Sequence, residues 1–176
     1  KLRFDVNKNR NGWKIAYGAS VQFANYSNTT FSVIRKEVRD NVGTVVQPAV
    51  ISNFESPLND FIRLGAFIQA GKRFAANRLG ISAGIRTDMN TFTTDGMNGL
   101  QTLSPRISFS YVLADKWTWN SSAGTYYKIP PYTILGFADN NNVLVNKNAR
   151  YQRSNHYTTG FEYLPNDGLR FTLEGF

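Results

Sequence analysis

Three groups of side chains in this 176-residue chain have types and spacing that could do chemistry. The first is Arg86 and Asp88, two positions apart, with Arg106 further along. Two cations beside a carboxylate can bind an anion, or they can close into a charge network that satisfies itself or a partner domain. The second is His156, the single histidine. A hydrolytic reading would pair it with a serine and a carboxylate or asparagine; the plainer reading is a polar wall residue. The third is the segment from Tyr126 to Tyr151, which carries Tyr126, Tyr127, Tyr132, Phe137, Asn140, Asn141, Asn142, Arg150 and Tyr151. Aromatic faces for stacking, amides for hydrogen bonding and one cation suit a small polar ligand such as a sugar or a chelate. The alternative is a polar loop that packs on itself. From this group Tyr126, Tyr132, Phe137, Arg150 and Tyr151 are the expected ligand-binding residues. Arg86, Asp88 and Arg106 are the expected internal charge network. The sequence shows no metal-ligand cluster and no glycine loop of the phosphate-cradling kind. No catalytic residue and no cofactor is assigned, and the chain is not read as an enzyme.

Composition narrows the frame that must hold these groups. Cysteine is absent, which excludes a disulfide framework and a thiolate metal site. The formal net charge is +8. Lys and Arg are scattered rather than striped along one element, so contact with anionic lipid headgroups or plain solubility is expected, and nucleic acid is not an expected partner. No apolar run reaches the length of a membrane-crossing helix. That does not bear on a transmembrane β-barrel, whose strands have only one apolar face.

The dominant pattern along the chain has a period of two, the strand period. In the stretch from Leu103 to Pro131, Ile107, Phe109, Tyr111 and Leu113 alternate with Arg106, Ser108 and Ser110. After the turn Ala114–Lys116, the residues Trp117, Trp119, Ser121, Ala123, Thr125 and Tyr127 alternate with Thr118, Asn120, Ser122, Gly124 and Tyr126. The same alternation marks Leu2–Val6, Trp13 to about Asn25, Phe61–Phe74, Leu79–Met89, Tyr157–Tyr163 and Leu169–Leu173, with Phe67 as a mismatch on the polar face. Asn7–Gly12, Ala75–Asn77, Ala114–Lys116 and Pro165–Gly168 read as short turns. Tyr26–Asp60, Thr91–Thr102 and Lys128–Arg150 read as long irregular connections, with Thr44–Val46 as a candidate short strand.

This gives about eight strands, no convincing helix and connections that alternate short and long. An outer-membrane barrel requires that alternation, with short periplasmic turns and long outer loops; a soluble β-sandwich does not. Aromatics agree with the barrel. Trp13, Phe74, Tyr111, Trp117 and Tyr163 lie on the apolar face near short turns, and Phe23, Met89, Tyr127 and Tyr157 near the long loops. Ten residues rising about 3.3 Å each, tilted by about 45°, climb roughly 23 Å, close to the roughly 25 Å apolar band of such barrels. The apolar faces (Ile81, Ile85, Ile107, Phe109, Trp117, Phe171) should therefore point to lipid, and Arg86, Arg106, Ser108 and Arg170 should point inward. All the short turns should share one end. The expected fold is all-β, an antiparallel up-and-down transmembrane β-barrel, in one domain over residues 1–176.

Several local motifs carry a resemblance. Leu103-Ser104-Pro105-Arg106-Ile107-Ser108 is followed by Lys116-Trp117, then by Ala123-Gly124-Thr125-Tyr126-Tyr127 and Pro130-Pro131-Tyr132. His156-Tyr157, Phe161-Glu162-Tyr163 and Leu173-Glu174-Gly175-Phe176 follow. These resemble the strands of the C-terminal half of the barrel in TonB-dependent outer-membrane receptors, from about Phe61 onward. The resemblance implies a barrel of about 22 strands, an N-terminal plug domain and active uptake of a scarce ligand (iron chelate, vitamin, glycan or peptide) driven by TonB through the plug. It also implies the outer membrane of a Gram-negative bacterium. Expected partners are outer-membrane lipid, the plug and remaining strands of the same receptor, and a surface lipoprotein as a candidate. Because the chain opens and stops inside strand-like sequence, it is expected to be part of a larger receptor. The alternative is a complete, small eight-stranded outer-membrane barrel with a structural or adhesive role.

Overall fold

The computed structural model describes residues 1–139 and 143–176. The strands are β1 (Leu2–Arg10), β2 (Trp13–Tyr26), β3 (Thr29–Arg35), β4 (Val38–Arg39), β5 (Val45–Gln47), β6 (Val50–Glu55), β7 (Leu58–Phe74), β8 (Leu79–Asn90), β9 (Ser104–Ala114), β10 (Trp117–Lys128), β11 (Gln152–Asn166) and β12 (Leu169–Gly175). One helical turn, α1 (Tyr132–Leu135), and a short 3-10 turn at Gly99–Thr102 complete it. The main sheet has eight strands in the order β1-β2-β7-β8-β9-β10-β11-β12. Every neighbouring pair in it is antiparallel. In such a meander successive connections fall at alternate ends. The four short turns therefore share one end and the long connections the other, as the sequence implies.

Three of the four short turns are tighter than the sequence suggests, while the β7–β8 turn takes four residues, 75–78. β1 runs on to Arg10, and only Asn11 and Gly12 turn, both with positive φ (51° and 77°). That geometry matches the right-handed twist of the strands it joins, and it favours Asn-Gly. The expected turn at Asn7–Gly12 is thus mostly strand. The long Tyr26–Asp60 connection is a correction too. It holds a β3–β6 hairpin, from Thr29↔Glu55 to Arg35↔Val50, and a two-rung β4–β5 pair within it. Phe31, Val33, Ile34 and Ile51 are exposed there. Among the described side chains of this hairpin none is buried, which leaves no clean alternation to read.

The two faces of the main sheet differ as expected. On the convex face Ile107 is 53% exposed, and Ile81, Ile85, Trp117 and Phe171 are exposed as well. Phe109 is only half-buried on this face because its ring meets Trp119 edge-on, with centroids 4.7 Å apart. At the short-turn end Trp117 stacks on Tyr163 at 4.6 Å, and Lys72 lies over the ring of Trp13 at 5.3 Å. The opposite face is concave and polar. It bounds an open space of about 950 Å³ walled by all eight strands, with Ala16, Ser82, Ser108, Asn120 and Thr158 among the residues on it.

Phe67, the mismatch in the pattern, sits on this concave face opposite Gly18. A Cβ at Gly18 would stand 2.8 Å from the Phe67 ring and 2.4 Å from the Phe4 carbonyl oxygen. The missing side chain is the space that the ring covers. The buried apolar cluster does not lie between two sheets. Leu58, Phe61, Ile129 and Leu135 gather at the long-connection end, flanked by Ala24, Tyr26, Phe92, Tyr132, Ala149 and Tyr151. A soluble sandwich would need the convex apolar face to be its core, and that face is bare.

Candidate functional site

The connection after β10 builds the mouth of the concave face. Pro130 and Pro131 have no N–H to donate to a strand ladder. The Pro131 carbonyl instead accepts hydrogen bonds from the N–H groups of Ile134 (3.0 Å) and Leu135 (3.1 Å), which starts α1. α1 then packs against the start of β7. Leu135 is 0% exposed against Leu58 and Phe61, and the Ser56 hydroxyl donates to the Thr133 carbonyl at 3.3 Å. Gly136 makes the approach possible, because a Cβ there would stand 2.6 Å from Ser56 Oγ. Further along, Thr94 N–H donates to the Lys147 carbonyl at 2.8 Å, and Thr94 Oγ1 donates to Asn148 Oδ1 at 2.8 Å. The two long loops are thereby tied together.

This arrangement divides the five expected ligand-binding residues. The Tyr132 ring meets Phe61 edge-on at 5.4 Å and Tyr26 at 5.7 Å. The Tyr151 hydroxyl accepts from Asn90 Nδ2 at 3.2 Å, and burial pushes its pKa up. Asn90 is itself fully buried, and its Oδ1 accepts from the N–H groups of Phe92 and Thr93 at 2.9 Å. Tyr132 and Tyr151 therefore carry the packing of the mouth. Arg150 is exposed and lines a cleft of about 280 Å³ with Asp95, Asn98 and Tyr151. Phe137 follows α1, is 41% exposed, and its carbonyl accepts from Val145 N–H at 3.2 Å. Tyr126 lies apart from these, on the concave wall. Asn140, Asn141 and Asn142 lie outside the described residues.

The expected charge network also divides. Arg86 grips Asp88 with two hydrogen bonds of 2.7 Å, from Nε and Nη2. The pair sits beside Gly65, where a Cβ would come 3.1 Å from Asp88 Oδ1. Arg106 does not join it. Both of its cross-strand neighbours are glycines, Gly84 on β8 and Gly124 on β10. Its stem lies over Gly124, and its guanidinium carbon lies 4.3 Å from the centroid of Tyr126. The Tyr126 ring leans back over the same glycine, its Cε2 3.1 Å from where a Cβ would stand. His156, the partner of Gly124 on the other side, meets Tyr126 at 4.8 Å with the rings inclined by 58°. His156 is thus a wall residue in ring contact with Tyr126. A glycine between an arginine and a histidine on neighbouring strands is the signal from which this trio could have been found. It needs the strand register, which the sequence does not state.

Among the described residues, no group of three or more His, Asp or Glu side chains is placed to hold a metal ion. A family model described as TonB dependent receptor-like, beta-barrel, matches residues 1–176. No curated protein and no solved structure matches the chain. The match spans every residue, and the meander, its short turns at one end and its bare apolar convex face agree with it. The chain belongs to the TonB-dependent receptor β-barrel family.

Proposed function

We propose that the chain forms part of the barrel wall of a Gram-negative outer-membrane receptor that imports a scarce ligand by TonB-coupled transport. The observation that carries this beyond family membership is the open sheet. A complete eight-stranded barrel would pair β1 with β12, and the sheet order ends at those two strands. Unpaired strand edges in hydrocarbon cost several kcal/mol per unsatisfied backbone group, by order of magnitude. Further strands of the same receptor are the natural partners for both edges. This favours the receptor segment over the small closed barrel. The concave face then faces a plug domain that contacts TonB, and a surface lipoprotein is a candidate partner at the mouth.

Iron chelate, vitamin, glycan and peptide are the ligand classes in view. Within this chain Tyr126, Phe137 and Arg150 are the residues offered to a solute, with Tyr132 and Tyr151 holding the loop that presents Arg150. Recognition on loops braced by a rigid scaffold is the usual arrangement. The test is uptake of labelled solutes from these classes by cells carrying the whole receptor, with and without functional TonB. TonB-dependent uptake that weakens in Tyr126→Ala or Arg150→Ala, with membrane insertion unchanged, supports the reading. Uptake indifferent to TonB refutes it. Point substitutions are preferable to deleting the 128–150 loop, because deletion would also uncover Leu58 and Phe61.

A further inference from the structure

The geometry points to an anion-binding site on the concave wall, formed by Arg106, Tyr126 and His156 over Gly124, that takes an aromatic carboxylate. The inference rests on the receptor reading and names the chemistry of one part of its wall. Several other arginines spend their donors inside the protein. Arg86 is held by Asp88, Arg170 by Glu162 and Arg3 by Asp5. Arg78 donates to the carbonyls of Val112 and Leu113. Arg106 is positioned without using its donors. Among the described residues it has no ion pair and donates no hydrogen bond; the Tyr126 face fixes the guanidinium at 4.3 Å. A planar cation held over a ring keeps its fork of N–H groups for a ligand, and that fork matches a carboxylate with two parallel hydrogen bonds.

The rings supply the second half of the site. Tyr126 is 38% exposed, and His156 is exposed as well. Their planes, inclined by 58°, form an apolar corner next to the cation. A ligand with an aromatic ring bonded to its carboxylate would fill the corner with the ring and the fork with the anion. The glycine is structural to this. A Cβ at Gly124 would meet Tyr126 Cε2 at 3.1 Å and Arg106 Cγ at 3.2 Å, so both side chains would have to shift by a few tenths of an ångström, out of the observed stack.

The test uses the intact receptor in detergent, with benzoate as probe and benzamide as its neutral counterpart, followed by saturation-transfer NMR. Benzoate should saturate and benzamide should bind at least about tenfold more weakly, the loss of roughly one charge-assisted hydrogen-bond pair. Arg106→Gln should weaken benzoate about tenfold or more and abolish the preference over benzamide. Gly124→Ala should also weaken benzoate, although it removes none of the three side chains. Arg73→Gln, which deletes the same charge elsewhere on the concave face, should leave benzoate binding as it was. Insertion of each variant is checked by the heat-dependent gel mobility of a folded barrel, and Gly124→Ala keeps the test alive if Arg106→Gln does not insert. No saturable benzoate binding, equal binding of benzamide, or an Arg73→Gln effect as large as that of Arg106→Gln overturns the proposal. Those results leave TonB-dependent uptake untouched, so failure here and failure of the receptor reading are distinguishable.

Discussion

Leu135→Ala should release the 129–150 loop from the mouth while leaving the sheet intact. Leu135 is 0% exposed and packs with Leu58, Phe61 and Ile129, so its truncation leaves a cavity that only the loop can close. Leucine-to-alanine changes at such sites cost about 2–5 kcal/mol. The polar ties are smaller. The Ser56–Thr133 bond (3.3 Å) and the Asn146 Nδ2 bond to the Ile134 carbonyl (2.6 Å) each contribute about 0.5–1.5 kcal/mol. The apolar contact therefore decides whether the loop stays docked. The assay is hydrogen exchange on the whole receptor. The amides of Ile134, Leu135 and Gly136 bond to the carbonyls of Pro131 and Tyr132, and their protection reports loop opening. A loss of 2 kcal/mol should speed their exchange by roughly thirtyfold. Amides within β10 and β11 should not change. Ile134→Ala is the control, because Ile134 is exposed on the same helical turn and should cost less than about 0.5 kcal/mol. The reasoning fails if Leu135→Ala leaves exchange unchanged, if Ile134→Ala matches it, or if β10 and β11 open too.

Three further outcomes are expected. The chain has no cysteine, so Ile107→Cys and Ser108→Cys give clean single sites; a water-soluble maleimide should label Ser108→Cys and a bilayer-confined probe Ile107→Cys, and the reverse would invert the assigned faces. Gly18→Val should lower the folded fraction, with a cost of about 1–3 kcal/mol, because its Cβ would stand 2.4 Å from the Phe4 carbonyl oxygen; Gly175→Val, with nothing within 4 Å, should fold normally, and equal yields would contradict the close approach. The Tyr151 phenol has its pKa raised by burial, so its contribution to stability is complete below about pH 10, the unfolded value, and is lost as pH rises through the folded value. The difference in phenolate absorbance between the native protein and Tyr151→Phe should accordingly rise only above about pH 10, and a midpoint at or below that pH would count against the buried placement.

What the sequence determined by itself was local. A strand sends successive side chains to opposite faces whatever surrounds it. Ile107, Phe109 and Tyr111 against Arg106, Ser108 and Ser110 therefore already specify a strand with one apolar side. Short and long connections in strict alternation specify the meander and its two ends. The tertiary structure decided whatever depends on register and on chain return. An alternating strand fits its neighbour equally well after any even slip. Only the observed register puts Gly18 opposite Phe67, turning a mismatch into a fit, and Gly124 between Arg106 and His156. The same register sets Arg106 opposite Gly84 and diagonal to Arg86, which is already held by Asp88. Tyr132 and Tyr151 look in sequence like a ligand surface, since aromatics among asparagines suit one. The structure also packs them against the buried cluster, because α1 returns to Ser56, Leu58 and Phe61. The Ser56–Thr133 bond joins positions 77 residues apart. No local periodicity encodes a contact of that span, since its free energy exists only after the sheet has brought β7 and the loop after β10 to the same end.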